Sequence, residues 1–180
     1  MLGDVEHASV TVVTLALASD DVRADLVGTG FLVPRTSEVA GRTALITGCT
    51  YLTRKWPGLA RPGDELIRLS VGRFGDRRPD TMDDDELASA AYDELAAILP
   101  LGGRPREALV TRWQDAFPQY RPGHLERTAA VEEDVAALGG VAVAGSAYRG
   151  VGIPAVVGSG RAAATAVLAS LDGTRPAAPR

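Results

Sequence analysis

The chain of 180 residues carries one cysteine, Cys49. A lone thiol excludes an internal disulfide and fits a reducing compartment. With only two histidines besides, no zinc-ligand spacing can be drawn, and no metal is expected. Lysine is nearly absent, and the net charge is −4. No basic excess is available to displace counterions, so nucleic acid is not an expected partner. No run of about 18 apolar residues occurs, so no membrane span is expected. The N-terminus lacks a signal-peptide pattern. Asp4 and Glu6 stand where positive charge belongs, and Thr11 and Thr14 interrupt the apolar stretch Val10–Ala18. A cytoplasmic location follows as the expectation. What the chain does have is 46% hydrophobic and 23% charged residues, enough for a packed core and too apolar for wholesale disorder.

The β-branched run 8–18 reads as a strand buried on at least one face. Residues 28–34, 43–50 and 66–72 read as three more strands, with 35–42 as a hairpin loop, giving an antiparallel or mixed sheet. Asp83-Asp84-Asp85 and Glu86 then supply the acidic start of a helix, where carboxylates favour the macrodipole. Leu87, Ala90, Ala91, Leu95 and Ile98 continue it at helical spacing to about Leu99, and Pro100 with Gly102 and Gly103 ends it. A strand at 108–113, a helix from His124 to Leu138, a strand at 141–144 and a last helix from Pro154 to Leu171 complete the reading, with a flexible tail at 172–180.

Gly145, Gly150 and Gly152 fall between the last strand and the last helix. Glycine accepts positive φ and leaves no side chain in a ligand's way. Pro154 suits the first turn of a helix. The backbone N–H groups of Val151, Gly152 and Ile153 then sit at a positive helix end, suited to a phosphate, a carboxylate or the negative charge of a reduced ring. The alternative is an ordinary tight strand-to-helix connection, since these glycines do not make GxGxxG.

The segment GSAYRGVGIPAVVGSGRAAATAVL (145–168) resembles the C-terminal flavin-binding segment of bacterial protoporphyrinogen/coproporphyrinogen oxidases, within the flavin amine-oxidase superfamily. GTGFLVP (28–34), TGCTYLTRKWP (47–57), LIRLSVGRFGD (66–76), DDDELASAAYDEL (83–95) and TRWQDAFPQYRPGHLERTAAVE (111–132) resemble the same family in the same order. The likeness is strongest to actinobacterial enzymes that oxidise coproporphyrinogen III to coproporphyrin III. It implies an α+β/α/β chain, the C-terminal fragment of a two-domain FAD-dependent oxidoreductase. Residues 1–122 would be the end of a mixed-sheet substrate domain, and 123–171 the returning strand and helix of a Rossmann-like FAD domain. It implies a porphyrinogen substrate, FAD as cofactor and dioxygen as acceptor, in haem biosynthesis, with no protein side chain as catalytic residue. Val151, Gly152 and Ile153 match the backbone that lies against the isoalloxazine, and Gly145 and Gly150 would shape the turn. The family's opening strand, GxGxxG turn and helix have no counterpart here. A missing N-terminal half is therefore expected, with weak or absent FAD binding, an inactive isolated fragment and an exposed apolar face on the last helix. Two other readings stand beside this one: another amine-oxidase or desaturase relative, and a remnant without cofactor.

Arg54, Lys55 and Arg149 are the candidate partners of substrate propionates, each set against a solvated or surface-paired role. Arg112, Trp113 and Tyr120 are candidates for a pocket wall, with Trp113 alternatively a core aromatic. His124 opens a helix, where packing or capping outweighs acid–base work. Cys49 reads as buried and inert.

Overall fold

The structure, a computed structural model, describes residues 5–22 and 26–174, with side chains as far as Leu171. Its strands are β1 (His7–Ala18), β2 (Gly30–Leu32), β3 (Glu38–Val39), β4 (Arg42–Thr43), β5 (Ile46–Tyr51), β6 (Asp64–Val71) and β7 (Glu107–Pro118). Its helices are α1 (Leu52–Lys55), α2 (Asp84–Ile98), α3 (His124–Ala137) and α4 (Ile153–Thr174). The chain divides into two compact units, residues 8–116 and residues 1–7 with 117–180.

The first unit is a five-stranded sheet in the order β2-β5-β6-β1-β7, with α2 contributing to its core. In β1 the alternation expected of a half-buried strand holds: Thr11, Val13, Leu15 and Leu17 are buried and their neighbours are not. Register carries that face across the sheet. Val13 lies opposite Leu69, Leu69 opposite Cys49, and Cys49 opposite Phe31, so one row of apolar side chains crosses four strands. Gly30 lets β2 join this row. It has φ of 148°, and a Cβ there would stand 2.1 Å from the Cys49 carbonyl oxygen, so no side chain fits.

Helix α2 buries Leu87, Ala88, Ala91, Tyr92 and Leu95 on one face. Its start is a capping box. The Glu86 amide donates to Asp83 Oδ1 at 2.8 Å, and the Asp83 amide donates to Glu86 Oε2 at 3.1 Å. The acidic run thus works as a helix N-terminus. From the same helix Glu94 reaches the entry to β5, where its carboxylate accepts the amides of Leu45 at 2.7 and 2.9 Å and of Ile46 at 2.9 Å. Arg78 donates to the carbonyls of Thr43 and Ala44 at the same corner and pairs with Asp76. That guanidinium holds the Asp76 carboxyl below the usual aspartate range. Cys49 is buried, and desolvation pushes its thiol up to about 12.

The strand pairs β1/β6, β5/β6 and β2/β5 are antiparallel, within the antiparallel or mixed sheet expected. Between β2 and β6 lie only the short β3 and β4, β5 and the one-turn helix α1, with no crossover of the length that parallel pairing needs. Two expectations need correction. The expected returning strand at 141–144 forms no ladder, because none of the described strands lies in sheet order beside it. Trp113 is no core aromatic. β7 is an edge strand, and Leu109, Trp113 and Phe117 stand exposed on it at every fourth position. The small β3–β4 hairpin occupies the expected loop 35–42 and the first residue of the expected strand 43–50, and α4 runs to Thr174, with the rest of the expected tail outside the described residues.

Candidate functional site

The glycine turn and the helices around it lie in the second unit. The Tyr148 amide reaches back to the Gly145 carbonyl at 3.4 Å, closing a turn over 145–148. Gly145 has φ of 126° and Gly150 of 152°, conformations that side chains rarely adopt. A Cβ on Gly150 would stand 2.8 Å from Ala155 Cβ, so glycine there is what lets α4 start against the turn. At Gly145 nothing lies within 4 Å of the same construction, so that side of the turn is open.

Helix α4 opens with its first bond from the Val156 amide to the Gly152 carbonyl, at 3.0 Å. The amides of Ile153 and its neighbours in this first turn have no carbonyl one turn back to accept them within the helix. Ile153 is 80% exposed and Val151 39%, so this donor-rich end is accessible. Ser159, one turn further along α4, accepts the Gly145 amide at 3.1 Å and donates to the Val156 carbonyl at 2.8 Å. The turn is therefore tied to the helix by a side chain that sequence reasoning did not single out.

The five backbone positions named from the sequence, Gly145, Gly150, Val151, Gly152 and Ile153, are thus brought together in one open turn at a helix N-terminus. Arg149 lies in the same turn. Its guanidinium grips Glu132 of α3 through Nε at 2.9 and 3.1 Å and through an Nη2 ion pair, which holds the Glu132 carboxyl below its ordinary value. Arg54 and Lys55 sit apart from these in sequence, at the end of α1 in the sheet unit. Arg54 donates to the Leu26 carbonyl, and the Lys55 ammonium lies 4.8 Å from the centre of the Trp56 ring.

Sequence reasoning also undervalued the side chains beneath the turn. Tyr120 donates its hydroxyl to the Ser146 carbonyl. His124, at the start of α3, donates from Nε2 to the Tyr148 carbonyl at 2.7 Å. Between α3 and α4 runs a groove of about 410 Å³, floored by Val141–Val143 and bounded by small residues of α4 such as Ala162, Ala163 and Ala166. Helix α4 itself is almost bare. Over Ile153–Leu171 its mean hydropathy is 1.2 and none of it is buried, so by length and composition alone it meets what a membrane span requires. Its many glycines and alanines, with Arg161 among them, equally suit close packing on another protein element.

A flavin ring needs from a protein an approachable backbone with donors on one edge. The turn 145–153 fits that demand on one side: open space at Gly145, the exposed residues Val151 and Ile153, and the positive end of α4. The described residues of the turn offer no buried cation or Gly-rich diphosphate loop.

Residues 5–168 match the family model described as flavin containing amine oxidoreductase. The coproporphyrinogen III oxidase of Bacillus subtilis is 34% identical over 171 residues, which are 94% of this chain and 35% of that protein. The coproporphyrinogen III oxidase of Mycobacterium tuberculosis is 40% identical over 124 residues, 68% of this chain and 26% of that protein. A crystal structure from Exiguobacterium sp. 255-15, of a protein assigned to protoporphyrinogen oxidation, superposes with a TM-score of 0.77 at 30% identity, covering 94% of this chain and 36% of that one. The chain spans about a third of the length of the curated relatives it matches most fully. With the match running through both compact units, the chain belongs to the flavin containing amine oxidoreductase family.

Proposed function

We propose that this chain supplies part of a FAD-dependent porphyrinogen oxidase of haem biosynthesis, acting on coproporphyrinogen III or protoporphyrinogen IX with dioxygen as acceptor. The observation that carries the proposal is the open turn at the start of α4, within a chain similar over its length to coproporphyrinogen III oxidases. FAD, when bound, supplies the acceptor for hydride equivalents from the methylene bridges of the macrocycle. The chain's own contribution is backbone. The amides of Val151, Gly152 and Ile153, backed by the α4 dipole, stabilise negative charge on the ring edge they face. Gly145 and Gly150 keep side chains out of the way. In this reading residues 1–122 contribute to the substrate side and 123–171 to the flavin side, in the cytoplasm.

Three cations are candidates for propionate binding. Arg149 already holds a carboxylate, Glu132, so a propionate there would have to displace it. Arg54 and Lys55 form no ion pair with a described carboxylate and are the stronger pair.

The test is in two steps. Riboflavin, which has the ring but no diphosphate, is titrated into ¹⁵N-labelled chain. The amide signals of Val151, Gly152 and Ile153 are expected to shift most, with FAD binding no tighter than riboflavin. Shifts elsewhere and none in this turn would sink the flavin assignment. The chain is then joined to the N-terminal two thirds of the Bacillus subtilis relative. Anaerobic coproporphyrinogen III should bleach the flavin of that chimera, and an unbleached spectrum excludes the porphyrinogen reading.

A further inference from the structure

The second unit has very little interior. Among its described residues only Pro118, His124, Thr128 and Val131 are buried. The last three lie at intervals of four and three along α3, hence on one face. Two of the three are polar. A small unit that places a histidine and a threonine in its scarce interior must satisfy them, since an unpaired buried donor is costly. Both are satisfied by the same atom. His124 Nε2 donates to the Tyr148 carbonyl at 2.7 Å, and the Thr128 hydroxyl lies 3.5 Å from that oxygen. The Tyr120 ring is stacked on the His124 imidazole with centroids 4.0 Å apart and 9° between planes. Its hydroxyl donates to the Ser146 carbonyl.

Ser146 and Tyr148 are alternate residues of the turn between Gly145 and Gly150. Glycines at both ends of the turn give it conformations that side chains would restrict, and so do not themselves fix its shape. Ser159 ties its first residue to α4, and the rest of the shape is fixed from below. The Tyr120–His124 stack fixes the two donors relative to each other, and each donor holds one carbonyl. Because each peptide is planar and trans, the held carbonyls turn the amides of Ala147 and Arg149 away from the support, and the chain enters Val151–Ile153 from a fixed turn.

We infer that Tyr120 and His124 are positioning residues: a stacked pair that holds the 145–150 turn in the conformation offered to the ring. The inference deepens the flavin reading above and rests on it. His124 acts through the Tyr148 carbonyl and has no acid–base role. Thr128 reinforces the same carbonyl.

Hydrogen exchange and riboflavin titration together test this. In His124→Ala the bonded amides of the turn, Gly145 and Tyr148, should exchange about tenfold faster, the factor expected for loss of one well-formed buried hydrogen bond, while those of α3 beyond its first turn keep their rates. Riboflavin affinity should fall by a similar factor. His124→Gln, which keeps an N–H donor, should recover part of both. Tyr120→Phe keeps the stack and removes only the hydroxyl. It is the safer variant for folding and should loosen the turn by a few-fold. Unchanged exchange of the turn in both Tyr120→Phe and His124→Ala overturns the inference. So does faster exchange with riboflavin affinity unaltered. If the unaltered chain takes up no riboflavin, affinity is read in the chimera with the Bacillus subtilis relative, where absent flavin uptake overturns the flavin reading, and the pair is judged in the chain itself by exchange of the turn.

Discussion

The two units of this chain are built to different standards. Residues 8–116 hold a contiguous core from Val13 to Leu95, to which β1, β5, β6 and α2 each contribute several buried side chains. The unit with residues 117–180 buries one short stripe of α3, and its longest helix leaves Val157, Leu168 and Leu171 about half exposed or more. One region is stabilised by apolar burial, the other by a few hydrogen bonds to a loop. The difference teaches that functional weight and stability weight lie in different places. The candidate flavin turn is in the region with least packing, where local opening is easiest.

Denaturation of paired variants is the strongest way to break that comparison. Leu69→Ala removes a fully buried side chain from the row that crosses the sheet and should cost about 3 kcal/mol. Leu168→Ala, on bare α4, should change stability by less than about 0.5 kcal/mol. Equal losses in urea would mean that α4 is packed in solution. A smaller effect is expected at Glu94. Its alanine variant strips a carboxylate from the amides of Leu45 and Ile46, leaving partly buried donors without an acceptor, and should cost about 2 kcal/mol. Glu94→Gln, which keeps one acceptor oxygen, should cost less. If the two variants match, the bonds do not hold the β5 corner.

Acid sharpens the comparison with the smallest effect. The Asp76 carboxyl is held below its unfolded value by the Arg78 hydrogen bonds, with burial opposing. Such a group contributes stability fully above the unfolded aspartate value of about 3.9 and loses it as pH falls through the folded one. Glu132 in the second unit behaves likewise through Arg149. Asp76→Asn should flatten the stability–pH profile below about pH 4, as followed by the urea midpoint. The corresponding Glu132→Gln effect should be weaker, because that pair is more open to solvent and salt. A profile unchanged by either substitution would remove ion pairing from the account of both units.

How much of this was written in the sequence differs between the units in the same way. Alternation in β1 and the acidic start of α2 are local signals, and the elements form where they predict. β7 extends past the expected strand 108–113 to Pro118, because an edge strand tolerates polar Gln114 and Asp115. Val141–Ala144 has a strand's composition but no strand beside it among the described residues, and composition cannot supply a partner. At the site, the glycines and the proline of α4 were legible as a turn and a helix start. The Tyr120–His124 support was not. Its acceptors are the backbone carbonyls of Ser146 and Tyr148, which leave no mark on residue identity.

The single thiol has a practical consequence. Cys49 sits in the middle of the cross-sheet row, and burial holds its proton well above neutral pH. Maleimide and iodoacetamide chemistry needs an accessible thiolate, so the folded chain should resist labelling at pH 7. A second cysteine placed on the surface, for example by Ala144→Cys just before the turn, would then take a spectroscopic label alone. Cys49 would serve in the same sample as a reporter that reacts only when the sheet opens.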